Sequence, residues 1–365
     1  MVIWQCWFEL DELRHFAGRR DVDAYACVTR VLAGFMSLGF PGAARAFRVR
    51  ATMRERDLLV AAPERWDEAC FAVPAMRAIL ASGLELGVIC REDQHEFWKC
   101  VKGLEVLSFT PKAKPKAVAA LIRDKWQAAL LWEPGLAADA VKLAAVPRRL
   151  GPALGKLKRR LTHPFECSEN RLEHRVRFYL SAVETMGIPT GNPEFFTPTR
   201  LGIEARAGTV LLCPDSDFGP SHEWLLDRWT DLAQRLIQNG CHLTVAGLTG
   251  GRSLGQTLAE ALDTQPEFFE ATRLAAALPM LAAHPRVIAA DGSLPHLAAL
   301  AGAACVTLFG PNDPVWKRPL GRHHTVVRRH VECAPCLLGK CPMDGRCQRE
   351  LECERVWAAL QESQI

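Results

Sequence analysis

Two doubly wound α/β domains facing one another across a cleft, preceded by a helical segment, are the fold this chain predicts. Three observations predict it. From Asp57 onward, short apolar runs bounded by turn residues alternate with stretches of helical periodicity, and the series occurs twice. A Pro/Gly/Thr-rich loop, GIPTGNPEFFTPTR at 187–200, separates the two series. The stretch 287–314, VIAADGSLPHLAALAGAACVTLFGPNDP, is a complete strand–turn–helix–strand unit whose turn lies at the carboxyl end of its first strand. The expected organisation is a helical extension over 1–55, a first Rossmann-like domain over 56–198 and a second over 199–365.

The elements follow in order. Within 1–55, VTRVLAGFMSLGF carries helical spacing and RAFRVR at 45–50 is basic and amphipathic; the segment packs on the first domain or touches a membrane surface. DLLVAAP is a short buried-strand pattern, and EACFAVPAMRAILASG reads as a helix. LELGVICRE, LEVLSFT and QAALLWEP are further strands, interleaved with the helical EFWKCVKG, PKAVAALIRDKW and AADAVKLAAV. Strand–helix alternation of this kind calls for a parallel sheet covered on both faces. Residues 151–200 offer one clear helix, RLEHRVRFYLSAVETMG. The second series has the strands TVLLCP and HLTVAGLTGG and the helices LLDRWTDLAQRLIQNG, SLGQTLAEALD and RLAAALPMLAAH, and it ends in the 287–314 unit. The Asn239-Gly240 pair marks a helix stop.

Composition bounds the function. A chain of 365 residues with 49% hydrophobic and 24% charged residues has ample core for two domains. A net charge of +4 is too mild to argue for nucleic acid. The start, MVIWQCWFELDELRHF, lacks the pattern of a cleavable signal, and no apolar run reaches spanning length. The 14 scattered cysteines are therefore expected to be mostly reduced thiols in a cytoplasmic protein.

Candidate chemistry gathers at the carboxyl ends of strands, where ligands bind in open α/β sheets. At Asp291-Gly292-Ser293-Leu294, the small residues let the backbone come close and the first helix amides are unpaired donors, a place for a phosphate or an ordinary strand-to-helix connection. The turn 214–224 offers Ser216, Gly219 and Ser221 as neutral donors and His222 as a cation at lower pH. Together these two loops are placed to pinch a diphosphate. Gly247 and Thr249, in the next strand-end loop, are placed to flank a nucleoside. In the first domain, Asp67 and Glu68 stand where a general base would sit, although acids also decorate helix N-termini because the dipole favours them. Cys333, Cys336, Cys341 and Cys347 suit a tetrahedral metal site by number, without the paired C-x2-C spacing that would make the case strong; a metalloprotein built on this cluster is one competing reading.

Taken in order, LLVAAPERWDEACFAVPAMRAI, VPRRLG, LTHPF, FGPSHEW, DGSLPHLAALAGA, LFGPNDP and CAPCLLGKCPMDGRCQRELECERV resemble glycosyltransferase family 9, the ADP-heptose:lipopolysaccharide heptosyltransferases. The resemblance runs from about Asp57 to the C-terminus and leaves the first 55 residues without a counterpart. It implies the GT-B fold and inverting transfer of a heptose from a nucleotide-diphosphate donor to a lipopolysaccharide-core or lipid-linked acceptor. It implies no cofactor and no metal, since protein amides and cations neutralise the leaving diphosphate. Asp291 and His296 hold the family's donor-sugar positions. Three departures stand out. Counting back from Pro74 puts Glu68 at the place of the family's catalytic acid and Asp67 at that of a glycine. His222 occupies the place of a phosphate-binding lysine, and the Asp-Ser/Thr-Gly order appears as Asp291-Gly292-Ser293. They fit an enzyme of altered donor specificity, or a degenerate paralogue that binds nucleotide sugars without turning them over. RAFRVR and KLKRR at 156–160 suit a peripheral contact with an anionic inner membrane face, or are solvated helix faces; a monomer is the simplest expectation.

Overall fold

The computed structural model describes residues 56–167, 170–248, 253–271 and 274–362. The helical extension over 1–55, including its basic run at 45–50, and Thr249 lie outside the described residues.

The first sheet comprises β1 (Leu58–Ala61), β2 (Leu86–Arg91), β3 (Glu105–Phe109), β4 (Ala128–Leu130), β5 (Arg148–Pro152) and β6 (His163–Phe165), in the order β3-β2-β1-β4-β5-β6. Every pairing within it is parallel. The second comprises β7 (Thr209–Cys213), β8 (His242–Leu248), β9 (Glu267–Ala271), β10 (Arg286–Ala290), β11 (Ala304–Phe309) and β12 (His324–Arg328), in the order β12-β11-β10-β7-β8-β9, again all parallel. Each sheet has the doubly wound order 3-2-1-4-5-6, so each has a switch point: between β1 and β4 in one, between β7 and β10 in the other. That is the predicted α/β class with two Rossmann-like sheets.

Helices α1 (Trp66–Ala81), α2 (His95–Lys99), α3 (Pro115–Ile122) and α4 (Leu136–Leu143) serve the first sheet. The connecting segment carries α5 (Val176–Glu184), which packs on α1. The second sheet has α6 (Leu226–Gln238), α7 (Leu254–Ala261), α8 (Leu278–Ala283), α9 (Ser293–Ala301), α10 (Pro314–Lys317), α11 (Arg346–Arg349) and α12 (Cys353–Glu362). Helix α9 also packs against α1, so the first helix after β1 meets the first helix after β10. Helix α6 ends as predicted, with Gly240 at φ +78°.

The central strands are apolar runs because both faces are covered: β1 is fully buried, and so is β10 beyond Arg286. Trp224 and Trp229 are core of the second domain, edge to face at 5.4 Å, with the Trp224 indole donating to Leu351 O at 2.7 Å. Four strands exceed the sequence expectation. β6, β9 and β12 are sheet edges and β5 lies next to one. Their sequences, HPF, EFFEA, HTVVR and RRLGP, carry charges or proline where a strand faces solvent, which hides the apolar signal. The predicted helix over 171–187 is confined to α5.

Candidate active site in the interdomain cleft

Helix α1 begins directly after the β1 turn, and its first turn carries Asp67 and Glu68. They are not solvent-facing decoration of a helix end: Asp67 is 0% and Glu68 6% exposed. Two adjacent buried carboxylates need compensating charge. Asp67 receives the Arg65 guanidinium through Nε at 3.0 Å and Nη2 at 3.2 Å, and Lys317 Nζ at 2.8 Å. Glu68 Oε1 accepts from Lys317 Nζ at 2.5 Å, while Oε2 accepts from the Tyr179 hydroxyl at 2.6 Å and Arg175 Nε at 2.8 Å. Burial alone would raise both carboxyl pKa values. Lys317 with Arg65 outweighs it for Asp67, and Lys317 with Arg175 for Glu68, so both are held below the ordinary carboxylate range and ionised.

Lys317 ends α10 and comes from the second sheet's side of the cleft. The seam around it is stitched by backbone: Arg175 N–H donates to Trp316 O at 2.9 Å. His174 has Nδ1 accepting from Val176 N–H at 3.2 Å and Nε2 at 2.8 Å from Arg318 O. Burial pushes His174 down to about 4, so it is neutral and its Nε2–H is the donor to Arg318 O. A cavity of about 150 Å³ opens beside this seam, lined by His174, Arg175, Arg177, Asn170 and Trp316 among others.

On the facing side, the β7 and β10 loops meet as the sequence predicts, but with their own acids in the anion positions. Asp217 accepts from the Ser293 amide at 2.7 Å and the Ser293 hydroxyl at 2.6 Å, so a carboxylate already occupies the N-terminus of α9. Burial raises the Asp217 pKa, and the Ser293 bonds only partly oppose that. Asp215 likewise fills the N-terminus of α7, accepting from Leu254 N at 2.6 Å, Leu248 N at 2.8 Å and Ser253 Oγ at 2.6 Å. Ser216 Oγ donates to Asp291 O at 2.6 Å and pins the two loops together.

The remaining predicted residues sort as follows. His222 is 2% exposed, and its Nδ1 lies 2.9 Å from Asp291 Oδ2, with Asp291 at 0% exposure. Burial raises the Asp291 carboxyl, and His222 with Asn312 opposes it. His296 is buried against Phe71, ring centroids 4.9 Å apart, with neither ring nitrogen hydrogen-bonded among the described residues; burial pushes it down to about 3, so it is neutral. Gly292 is backed by Asp217 and Ser216, a Cβ there falling 3.0 Å from Asp217 Oδ1, and Leu294 is buried. Ser221 is engaged elsewhere, its hydroxyl donating to Leu338 O and its amide to Gly339 O at 3.2 Å. Gly219, at φ +113°, is required because a Cβ would lie 2.4 Å from Gly339 O. A Cβ at Gly247 would meet the Ser253 hydroxyl and the Phe268 ring.

The four cysteines of the terminal segment lie near one another: burial raises the Cys347 thiol, and Cys333, Cys336 and Cys341 close by raise it further. Among the described residues no group of three or more His, Cys, Asp or Glu is placed to hold a metal ion, and Cys333, Cys336, Cys341 and Cys347 are free thiols. Sequence reading missed Arg65, Arg175, Tyr179 and Lys317, each brought to the carboxylate pair by the fold. Asp215 and Asp217 had a readable signal, alternate acids in a loop that flanks two helix starts.

Residues 180–346 match the sequence profile of Glycosyltransferase family 9 (heptosyltransferase). Lipopolysaccharide heptosyltransferase 2 of Escherichia coli K12 is 26% identical over 138 residues, 36% of this chain. The chain thus spans only 40% of that relative's length in the alignment. The fold match is broader: E. coli ADP-heptose lps heptosyltransferase II aligns over 84% of this chain and 98% of its own, with TM-score 0.68 and 18% identity. E. coli heptosyltransferase WaaC with ADP aligns over 84% and 99%, with TM-score 0.68 and 15% identity. These structures share the two-sheet architecture predicted from the sequence.

Proposed function

We propose that this chain, a relative of the family 9 glycosyltransferases, transfers a heptose from an ADP-linked donor to a lipopolysaccharide-core-type acceptor with inversion at the sugar carbon. The observation that carries this reading is the buried Asp67–Glu68 pair at the carboxyl end of β1, facing the joined β7 and β10 loops across the cleft. The donor and the ADP come from what the relatives are named for. The first-sheet pair fits base chemistry and the second-sheet loops fit a diphosphate.

In this reading Glu68 is the base and Asp67 fixes Arg65 and Lys317. Tyr179 and Arg175 hold Glu68 Oε2 from one side. The acceptor hydroxyl oxygen forms its bond to the sugar carbon as the bond from that carbon to the diphosphate oxygen breaks. The proton passes to Glu68, and the diphosphate leaves with the electron pair. Ser293 and Gly292 amides take the phosphates after Asp217 yields the α9 N-terminus, and Asp291 and His296 flank the donor sugar. The cavity at His174, Arg175 and Trp316 is the acceptor side of the site.

No described helix is long and apolar enough to cross a membrane. In this reading the acceptor is met at the inner membrane face. Lys156, Lys158 and Arg159, exposed around the buried Leu157, contribute to that contact. The enzyme works as a monomer, with its cleft inside one chain.

Glu68→Gln tests the reading. It keeps the shape and removes the proton acceptor, so turnover of ADP-heptose falls at least ~100-fold, the scale of a lost general base, while ADP binding by calorimetry stays within a few-fold. Turnover near the unsubstituted level would remove Glu68 from the base role. Absence of transfer by the unsubstituted enzyme from any ADP-heptose would overturn the reading altogether.

A further inference from the structure

The β7 loop is poor in positive charge for a loop that receives a diphosphate. Its lysine place holds His222, a buried ring tied through Nδ1 to Asp291. Around it stand Asp215, Asp217, Glu223 and Asp291, with Glu223 accepting from Ser216 N at 3.1 Å. Stabilising a departing diphosphate there needs a cation from another element.

Among the described residues three cations touch the carboxylate pair: Arg65, Arg175 and Lys317. Arg65 and Arg175 come from the elements that carry or adjoin the base, although Arg65 also reaches the β7 loop, and each is pinned twice. Arg65 holds Asp67 through two nitrogens and lies on the Phe218 ring at 4.7 Å. Arg175 holds Glu68 and lies on the Phe178 ring at 4.1 Å. Lys317 differs in its origin, although it too is held more than once, by both acids and over the Phe71 and Trp316 rings. It comes from the turn after β11, the strand paired to β10, so it rises from the same sheet edge as Asp291–Ser293. Its charge is a compact point on a flexible four-carbon stem that can re-aim without moving the backbone. It is also 4% exposed and bonded to both acids, 2.8 Å from Asp67 and 2.5 Å from Glu68.

That position is incompatible with catalysis if it persists. A base pinned by an ammonium resists taking a proton, and Lys317 must move away for Glu68 to work. The nearest competing anion in a loaded cleft is the donor's diphosphate.

We propose that Lys317 is the cation of the leaving group, released from the Asp67–Glu68 pair when the donor enters and placed on the diphosphate as its bond to the sugar breaks. The transfer of one ammonium then does two things: it neutralises charge developing on the departing oxygen and frees the base. No proton need leave Lys317; it donates hydrogen bonds, while the acceptor proton goes to Glu68. This assignment rests on the transfer reading above.

The experiment compares Lys317→Ala and Lys317→Arg with the unsubstituted enzyme. Circular dichroism confirms folding, and Lys317→Met takes the place of the alanine variant if that one does not fold. Two readouts are taken. Calorimetric titration with ADP and with AMP separates diphosphate from monophosphate recognition. Turnover of ADP-heptose is measured with and without ethylammonium, against tetramethylammonium at equal ionic strength. The expected result is ADP affinity weakened at least tenfold with AMP within twofold, kcat down roughly 100- to 1,000-fold, the scale of one lost transition-state donor, partial restoration by ethylammonium alone, and near-normal ADP binding by Lys317→Arg. Equal weakening of ADP and AMP, or no relief by ethylammonium, would leave Lys317 a merely structural tie and overturn the assignment. If the unsubstituted enzyme transfers no sugar, the transfer reading fails by itself, and ADP selectivity that disappears with Lys317 still assigns the residue to a diphosphate.

Discussion

Removing one carboxylate should tighten ligand binding while weakening the fold. Asp217 holds the N-terminus of α9 with two short charge-assisted bonds, to the Ser293 amide at 2.7 Å and its hydroxyl at 2.6 Å. A donor phosphate arriving at the same amide must displace them. A hydrogen bond to a charged group contributes about 1.5–3 kcal/mol. Asp217 keeps part of its surface in water although its carboxylate is partly desolvated against Ser293, so screening and rehydration of the released carboxylate recover part of that. The net obstacle is about 1–2 kcal/mol, which is roughly 5- to 30-fold in affinity. Removing the acid's charge near an incoming diphosphate adds in the same direction. Asp217→Ala should therefore bind ADP about 5- to 30-fold more tightly by calorimetry, while its urea midpoint falls because α9 loses its cap. AMP binding should change less if its single phosphate sits away from Ser293. The opposite signs of the two effects make the test specific. Unchanged or weaker ADP binding by the folded variant would refute the idea that this carboxylate stands in the phosphate's place.

Two more outcomes follow from the same geometry. The folded carboxyls of Asp67 and Glu68 are held below their ordinary range near 4, so the stability they contribute is fully present above that value and is lost as pH falls through the folded pKa values; melts between pH 7 and pH 3 should show a shallower acid decline for Asp67→Asn than for the unsubstituted protein, and an identical decline would place the acid sensitivity elsewhere. Gly219→Ala forces a side chain onto φ +113° and against Gly339 O at 2.4 Å, so urea denaturation should register a loss of about 2 kcal/mol or more, whereas a loss under ~0.5 kcal/mol would mean that the 338–339 segment moves freely.

The fold was legible wherever burial on both faces of a strand forced an apolar run, as in LLVA and VIAA, and where a turn residue had no alternative, as at Gly240. It was illegible at the sheet edges, because a strand such as HPF or EFFEA needs only one paired side and can keep its polar residues. At the site, local signals found the loops but not their occupants. The chain showed that Asp67, Glu68, Asp291 and Ser293 stand at strand ends. Nothing local could show that Lys317, 249 residues from Glu68, would bond both acids, or that Arg175 and Tyr179 would converge on one carboxylate oxygen. Long-range pairing of charge is a property of the packed state, in which each buried acid must find a partner from somewhere.

Glu68, His222 and Lys317 are best understood as one arrangement rather than as separate features. Glutamate at 68 carries one methylene more than aspartate, which would blur the base's position if its chain were free. It is not free: Tyr179 and Arg175 fix one carboxylate oxygen whether or not Lys317 holds the other. The buried pair also takes a cation from the opposite side of the cleft, Lys317. His222 in turn is committed to Asp291, whose buried carboxylate needs that partner. His222→Lys alone would place an ammonium beside Asp291. Returning Glu68 to aspartate alone would withdraw the carboxylate from Tyr179 and Arg175. Each reversal is unfavourable without the others, which is the coupling expected of groups that share partners in one buried network.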